Sequence, residues 1–312
     1  AGLPRVPSAL WQAMHTLVEI ASPFARSGLA LGAASAAQAG APAAALISRD
    51  DSNRATGFMT CDISDAKPSD FTMTVSRTPM ARQKHPDSPA AGAAADDADE
   101  AKRALAWTHT ARFLTTASQL DQLPATDLPE IAFVGRSNAG KSTAINVLTQ
   151  QKRLAYASKT PGRTQHINLF ELGPKLGADA LFADLPGYGY AAVARDAKLR
   201  WQQVMADYLE LRRSLAGIVL MIDARLGFTD LDRQLLDFIG PRIGNGAVKL
   251  LVLLTKADKL NRSEAAAAFA SAQALLGEVV TDEADVGLVL FSALKQTGIA
   301  DAAVAMRRWT GA

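Results

Sequence analysis

The chain is poor in cysteine, in aromatic residues and in net charge. It has 312 residues and a single cysteine, Cys61, so no intrachain disulfide can form and the composition fits a reducing compartment. Cys61 is expected to be an inert thiol. Aromatics make up 6% of the chain and the net charge is +2, which excludes the global basic excess of proteins that coat nucleic acid. No strongly apolar run reaches the ~18 residues that a spanning helix needs. Gly28 to Ile47 is built on Ala and Gly and is too weakly apolar to hold a membrane. A secretory signal is a poor fit, because no basic segment leads into a strong apolar core, and a cytoplasmic location is expected.

What is abundant is alanine, and it divides the chain. Residues 1–105 carry Ala-rich runs (Ala33 to Ala45, Ala90 to Ala95), scattered Pro and Ser, and an acidic cluster at Asp96, Asp97, Asp99 and Glu100. Apolar periodicity persists only from Ala9 to Ile20, where Leu10, Trp11, Met14, Leu17, Val18 and Ile20 would form one amphipathic helix. Such a segment buries too little apolar surface to offset its ordering entropy, so 1–105 is expected to be a mostly disordered, dispensable extension. Met80 is a candidate biological start. The folded domain is expected over 106–312.

That second part alternates β-prone runs with helix-length segments. The expected strands are Ile131–Val134, His166–Leu172, Ala180–Ala183, Gly217–Ile222, Leu250–Leu254 and Leu288–Phe291. The expected helices are Ser142–Thr149, Ala197–Arg213, Asp230–Ile239 (Thr229 as N-cap), Ser263–Leu276 (Ser263 as N-cap) and Ile299–Trp309. The later strands are continuous aliphatic runs, as parallel strands buried on both faces are. The pattern predicts a three-layer α/β fold with a mostly parallel sheet.

Gly135-Arg-Ser-Asn-Ala-Gly-Lys-Ser-Thr143 fits G-x-x-x-x-G-K-[ST], between an expected strand and an expected helix. Gly135 and Gly140 let the backbone curl so that successive N–H groups face phosphate oxygens. Lys141 can reach the β- and γ-phosphates, and the Ser142 hydroxyl can ligate Mg²⁺. A loop of this kind does not choose the base. Thr255-Lys-Ala-Asp258, at the end of an apolar strand, fits [N/T]-K-x-D. The Asp258 carboxylate can accept from guanine N1–H and the 2-amino group together, whereas adenine would leave it unpaired. The stem of Lys256 can lie along the base, and the Ala293 N–H can bond guanine O6. Asp184-Leu-Pro-Gly187 follows another strand: Asp184 can hold Mg²⁺ through water, and the Gly187 N–H can sense the γ-phosphate. In the unpatterned segment Lys159–Gln165, Thr164 is the expected second Mg²⁺ ligand, with Thr160 as runner-up.

These elements together resemble the EngB (YihA/YsxC) family of TrmE–Era-type GTPases over roughly residues 107–311. The resemblance is carried by GRSNAGKST (135–143), KTPGRTQ-x-IN-x-F (159–170), DLPGYGYA (184–191), TKAD (255–258) and FSALK-x-TG (291–298). Asp223 to Asp232 also resembles the family's D-x-R…T-x-x-D segment. The resemblance implies a Ras-like three-layer P-loop GTPase domain with a mixed, mostly parallel six-stranded sheet. It implies GTP hydrolysis to GDP as a switch in large ribosomal subunit maturation, with an older proposed link to septation and cell division. The expected partners are a large-subunit precursor and its rRNA, and the protein is expected to be monomeric. A P-loop ATPase or kinase, or a nucleotide-stabilised division scaffold, is the alternative.

The expected nucleotide site comprises Gly135, Arg136, Ser137, Asn138, Ala139, Gly140, Lys141 and Ser142 in the loop, then Gly162, Arg163, Thr164, Gln165 and His166. Asp184, Leu185, Pro186 and Gly187 follow, with Thr255, Lys256, Ala257, Asp258, Phe291, Ser292 and Ala293 on the base side. Ser142, Thr164 and Asp184 are the expected Mg²⁺ ligands, and Lys141, Thr164 and Gly187 the expected catalytic groups. Where Ras-type enzymes carry a water-orienting glutamine, this chain has Tyr188, so slow intrinsic turnover and an activating partner are expected. Asn138 has two readings: a K⁺ ligand beside the phosphates, as in related GTPases, or a turn-former. Lys152, Arg153, Lys159, Arg163, Arg195, Lys198, Arg200, Arg212 and Arg213 form a basic grouping suited to rRNA phosphate.

Overall fold

The computed structural model describes residues 72–75, 90–155, 166–189, 195–278 and 280–311. Cys61, Met80 and the expected Ala9–Ile20 helix lie outside the described residues, as do Lys159, Thr160, Gly162, Arg163, Thr164 and Gln165. The described residues belong to one compact unit, Ile63–Ala312. Its strands are β1 (Thr72–Val75), β2 (Arg112–Ala117), β3 (Glu130–Gly135), β4 (Ile167–Leu172), β5 (Ala180–Asp184), β6 (Leu215–Asp223), β7 (Lys249–Thr255) and β8 (Val286–Leu290). Its helices are α1 (Ala90–Thr108), α2 (Lys141–Leu148), α3 (Arg195–Leu211), α4 (Asp230–Gly244), α5 (Arg262–Gly277) and α6 (Ile299–Arg308).

The strands form one sheet in the order β1-β8-β7-β6-β3-β5-β4-β2. The run β8-β7-β6-β3-β5 is parallel, while β4, β2 and β1 pair antiparallel at the flanks. All six expected strands are present, but the sheet is 8-stranded, so the expected six-stranded count is corrected. β2 escaped a period-2 reading because its register against β4 shifts between Phe113 and Thr115, which breaks the alternation.

Alternate residues of the central strands feed two cores. Val134, Ala183, Leu220 and Leu254 pack with Tyr208 of α3, Leu236 and Ile239 of α4 and Phe269 of α5. Phe133, Phe182, Met221 and Leu253 pack on the other face with Trp107 of α1, Ile145 and Leu148 of α2 and Met306 of α6. The result is the expected three layers. The chain leaves β3 to reach β5 on one side and β6 on the other, so the carboxyl end of β3 is a topological switch point, where α/β proteins bind ligands.

Three local expectations differ from the structure. Helix α1 begins at Ala90 and crosses the boundary placed at 105/106. Alanine is the best helix former, and this helix gains a partner: Ala104 and Trp107 are buried, and Glu100 makes a two-pronged ion pair with Arg308 of α6 at 2.8 Å. Helix α4 runs past Ile239 through Pro241, because Ile243 is fully buried and Arg242 Nη2 donates to the Arg212 carbonyl at 3.2 Å. Helix α5 is capped by Asn261, whose side chain accepts from the Glu264 N–H at 2.9 Å, two residues before the expected cap Ser263. Thr229 is the N-cap of α4, as expected. No described helix is long and apolar enough to cross a membrane.

Candidate functional site

Strand β3 ends at Gly135 and α2 begins at Lys141, so the loop hangs at the switch point. Gly140 caps α2 with φ 97°, and Asn138 has φ 67°. These left-handed residues suit Gly and Asn, and they turn the backbone into a tight anion-binding nest at a helix N-terminus. Gly135 is needed for packing as well, since a Cβ there would sit 2.8 Å from Met221 Cβ. Lys141 is 8% exposed, and its Nζ lies 3.4 Å from Asp184 Oδ1 at the end of β5. Asp184 is fully buried, and neither carboxylate oxygen closes a hydrogen bond within the protein. Burial raises its pKa, against the pull of Lys141 and Ser142 beside it. A buried carboxylate held within the protein only by its contact with Lys141, next to a serine hydroxyl, fits a hard divalent cation that prefers oxygen ligands.

Asp258 follows β7 in a single 3₁₀ turn, Ala257–Lys259, that starts from Lys256 in the left-handed region. Its Oδ1 accepts from Ser292 Oγ at 2.7 Å, and Oδ2 lies 3.6 Å from Lys259 Nζ. The Ser292 hydrogen bond, foremost, holds the Asp258 carboxyl below its usual range and keeps it an acceptor. The two segments expected on the base side are joined by backbone, because Ala257 N–H donates to the Phe291 carbonyl at 3.2 Å. Both are also joined to the phosphate loop. Lys256 Nζ donates to the Asn138 carbonyl at 2.7 Å, and Thr255 Oγ1 donates to the Ala139 carbonyl at 2.7 Å.

Residues 130–256, from β3 to Lys256, match a family model described as 50S ribosome-binding GTPase. The chain is 58% identical over 218 residues to the "Probable GTP-binding protein EngB" of Polaromonas sp. strain JS666, covering 70% of this chain and 85% of that protein. It is 61% identical over 208 residues to the protein of that name from Albidiferax ferrireducens, covering 66% of this chain and 96% of that one. A solved structure of a probable GTP-binding protein engB is 22% identical, covering 58% of this chain and 98% of that one, with a TM-score of 0.43. The chain belongs to the EngB family of GTP-binding proteins. It is a P-loop GTPase that binds GTP and GDP.

Not every residue expected at the EngB site has a side chain free to serve it. Leu185, Pro186 and Phe291 are buried, with Leu185 and Phe291 in the two cores, so only their backbones remain for a nucleotide. His166 Nδ1 lies 2.9 Å from Ser118 Oγ at the outer strands. Thr255 acts as a strut, since its hydroxyl is placed against the Ala139 and Ile222 carbonyls at 2.7 and 3.0 Å. Two carboxylates outside the expected nucleotide site, Asp223 and Asp232, organise its surroundings. Asp223 Oδ2 accepts from Lys256 Nζ at 2.9 Å and from Arg225 Nη2 at 2.7 Å. Burial would raise its pKa, but the hydrogen bonds from Arg225 and Lys256 outweigh it and bring it down to about 2. Asp232 accepts from the Tyr188 hydroxyl at 2.6 Å. The signal for both was the D-x-R…T-x-x-D segment, whose carboxylates end one strand and open the next helix.

Proposed function

We propose that this EngB-family GTPase is a guanine-nucleotide switch for large ribosomal subunit assembly, in which bound GTP or GDP sets its affinity for a subunit precursor and rRNA. The observation that carries the reading is the double tie between the guanine-reading turn and the phosphate loop, through Lys256 to Asn138 and Thr255 to Ala139. Base recognition and phosphate binding then share one rigid body, so that a bound guanine fixes where the phosphates lie along the loop. The family model's own description, 50S ribosome-binding GTPase, supports the choice of target. Exposed Lys152, Arg153 and Arg213 are available to RNA phosphate. Arg212, expected in the same basic grouping, is withdrawn from it by a buried ion pair with Glu130 at 2.6 Å.

In this reading Asp258 accepts from guanine, Ala293 donates to its O6, and the loop amides of 135–142 with Lys141 hold the phosphates. Ser142, Thr164 and Asp184 would hold Mg²⁺, which when bound neutralises charge on the β- and γ-phosphate oxygens. Gly187 donates to the γ-phosphate. Tyr188 cannot orient an attacking water, because its ring is buried and its hydroxyl is spent on Asp232. Intrinsic turnover is therefore slow and needs a partner; hydrolysis at ~1 per second or faster by the isolated chain would refute this. Asn138, exposed on the loop, is the candidate K⁺ ligand, and equal rates in K⁺ and Na⁺ would remove that role. Co-sedimentation with large-subunit precursors tests the main reading. Binding is expected with a GTP analogue and weaker binding with GDP, and equal binding in both states would refute a switch.

A further inference from the structure

Tyr188 is 9% exposed, and its hydroxyl donates to Asp232 Oδ1 at 2.6 Å. Asp232 is itself buried. Its other oxygen accepts from the Thr229 N–H at 2.8 Å and the Thr229 hydroxyl at 2.6 Å, so the carboxylate is pinned to the first turn of α4. The Tyr188 backbone is held on the opposite side: its carbonyl accepts from the Ser137 N–H at 2.8 Å, and Arg136 and Tyr188 form an isolated parallel bridge. The segment between these anchors fits closely. A Cβ on Gly187 would lie 3.1 Å from Ser137 N and Cα, and one on Gly189 would lie 3.2 Å from Leu231 Cδ1. Burial, reinforced by the Asp232 charge, keeps the phenol protonated well above neutral pH, so it remains a donor.

We propose that Tyr188 is a positioning residue: its hydroxyl, anchored on Asp232, latches the Gly187 segment against the phosphate loop and thereby sets the affinity for the γ-phosphate. The proposal rests on the reading of Gly187 as a γ-phosphate donor. A donor held in place before the ligand arrives loses little entropy on binding it. GDP lacks the γ-phosphate and gains nothing from that placement. The latch therefore separates the two nucleotides without touching either, and it joins the phosphate loop to α4 through a single side chain.

The test is calorimetric titration of the full chain with a non-hydrolysable GTP analogue and with GDP, both in Mg²⁺, alongside thermal melting. Tyr188→Phe removes the donor and keeps the ring. It is expected to weaken the GTP analogue about tenfold, the size of a lost hydrogen bond to a charged partner, and to move GDP by less than about twofold. Asp232→Asn keeps a hydrogen-bonding group of the same shape and is expected to cost the analogue less, and adding it to Tyr188→Phe is expected to cost nothing more. A merely structural role would lower the melting temperature and both affinities together. Equal loss for both nucleotides, or no loss for the analogue, overturns the latch. If Tyr188→Phe does not fold, Asp232→Asn alone decides, by whether its smaller loss is confined to the analogue. Gly187→Ala separates the two layers of the argument. If it weakens the analogue selectively and Tyr188→Phe does not, the latch is wrong and the γ-phosphate reading stands; if neither does, both fall.

Discussion

Arg212→Ala would leave a carboxylate in the core without its counter-charge. Glu130 at the start of β3 is 0% exposed, and the Arg212 side chain that covers it is 11% exposed. Arg212 Nε donates to the two Glu130 oxygens at 3.1 and 3.0 Å, and Nη2 donates to Oε1 at 2.6 Å. The truncation removes all of these and leaves only the Tyr208 hydroxyl, at 2.6 Å from Oε2. Breaking a buried pair by deleting one partner costs about 3–5 kcal/mol. Tyr208 remains and water can enter where Arg212 met the surface, so the lower end, ~3 kcal/mol, is expected. For a domain of this size that is a fall of roughly 6–12 °C in melting temperature. Urea unfolding of the full chain measures it. Adding Glu130→Gln to Arg212→Ala removes the stranded charge and is expected to recover ~1 kcal/mol or more, so the double variant is the more stable. A loss for Arg212→Ala within about 0.5 kcal/mol, the range of an ordinary solvated surface residue, would refute the argument and return Arg212 to the RNA-facing group.

Asp258→Asn is expected to weaken GTP and GDP by about 2–4 kcal/mol while leaving whatever affinity the chain has for ATP unchanged, and calorimetry that found a parallel loss of ATP binding would contradict guanine reading. Asp223→Asn is expected to destabilise most at neutral pH. The Asp223 pKa is lowered to about 2, so its contribution is present above the ordinary carboxylate value near ~3.9 and is lost as pH falls towards the folded value. Unfolding curves of the wild type and this variant should therefore converge below about pH 4, and a pH-independent gap would count against the ion pair with Lys256 and Arg225. Gly217→Ala would drive a Cβ into the Trp309 ring at Cε3, forcing the indole off β6 at a cost of ~1–3 kcal/mol, visible as a changed tryptophan emission; an unchanged spectrum and melting temperature would show that the contact can relax.

Much of the fold was legible because its central strands are unbroken aliphatic runs. Leu250–Leu254 has no competing pattern, and β7 forms around it. The edges were not legible. β2 has Phe113 at 57% exposure and a register shift, so neither burial nor alternation marks it. Ala90–Ala95 looks like low-complexity chain until α6 supplies the surface that α1 docks on, because alanine contributes propensity but little area of its own.

The site divides in the same way. The family was readable from the linear chain, since its motifs keep particular residue types at short, fixed spacing, and the structure sets Gly135, Gly140 and Lys141 at the end of β3 beside Asp184, with Asp258 just past β7. Tertiary structure alone decided which charges are spent inside the protein. Arg212 is not a surface cation, Thr255 is a strut, Asp223 holds Lys256 against the loop, and Tyr188 is bound to Asp232. Each of those pairs joins elements far apart in sequence, and a hydrogen bond is decided by where two atoms meet rather than by what either residue is.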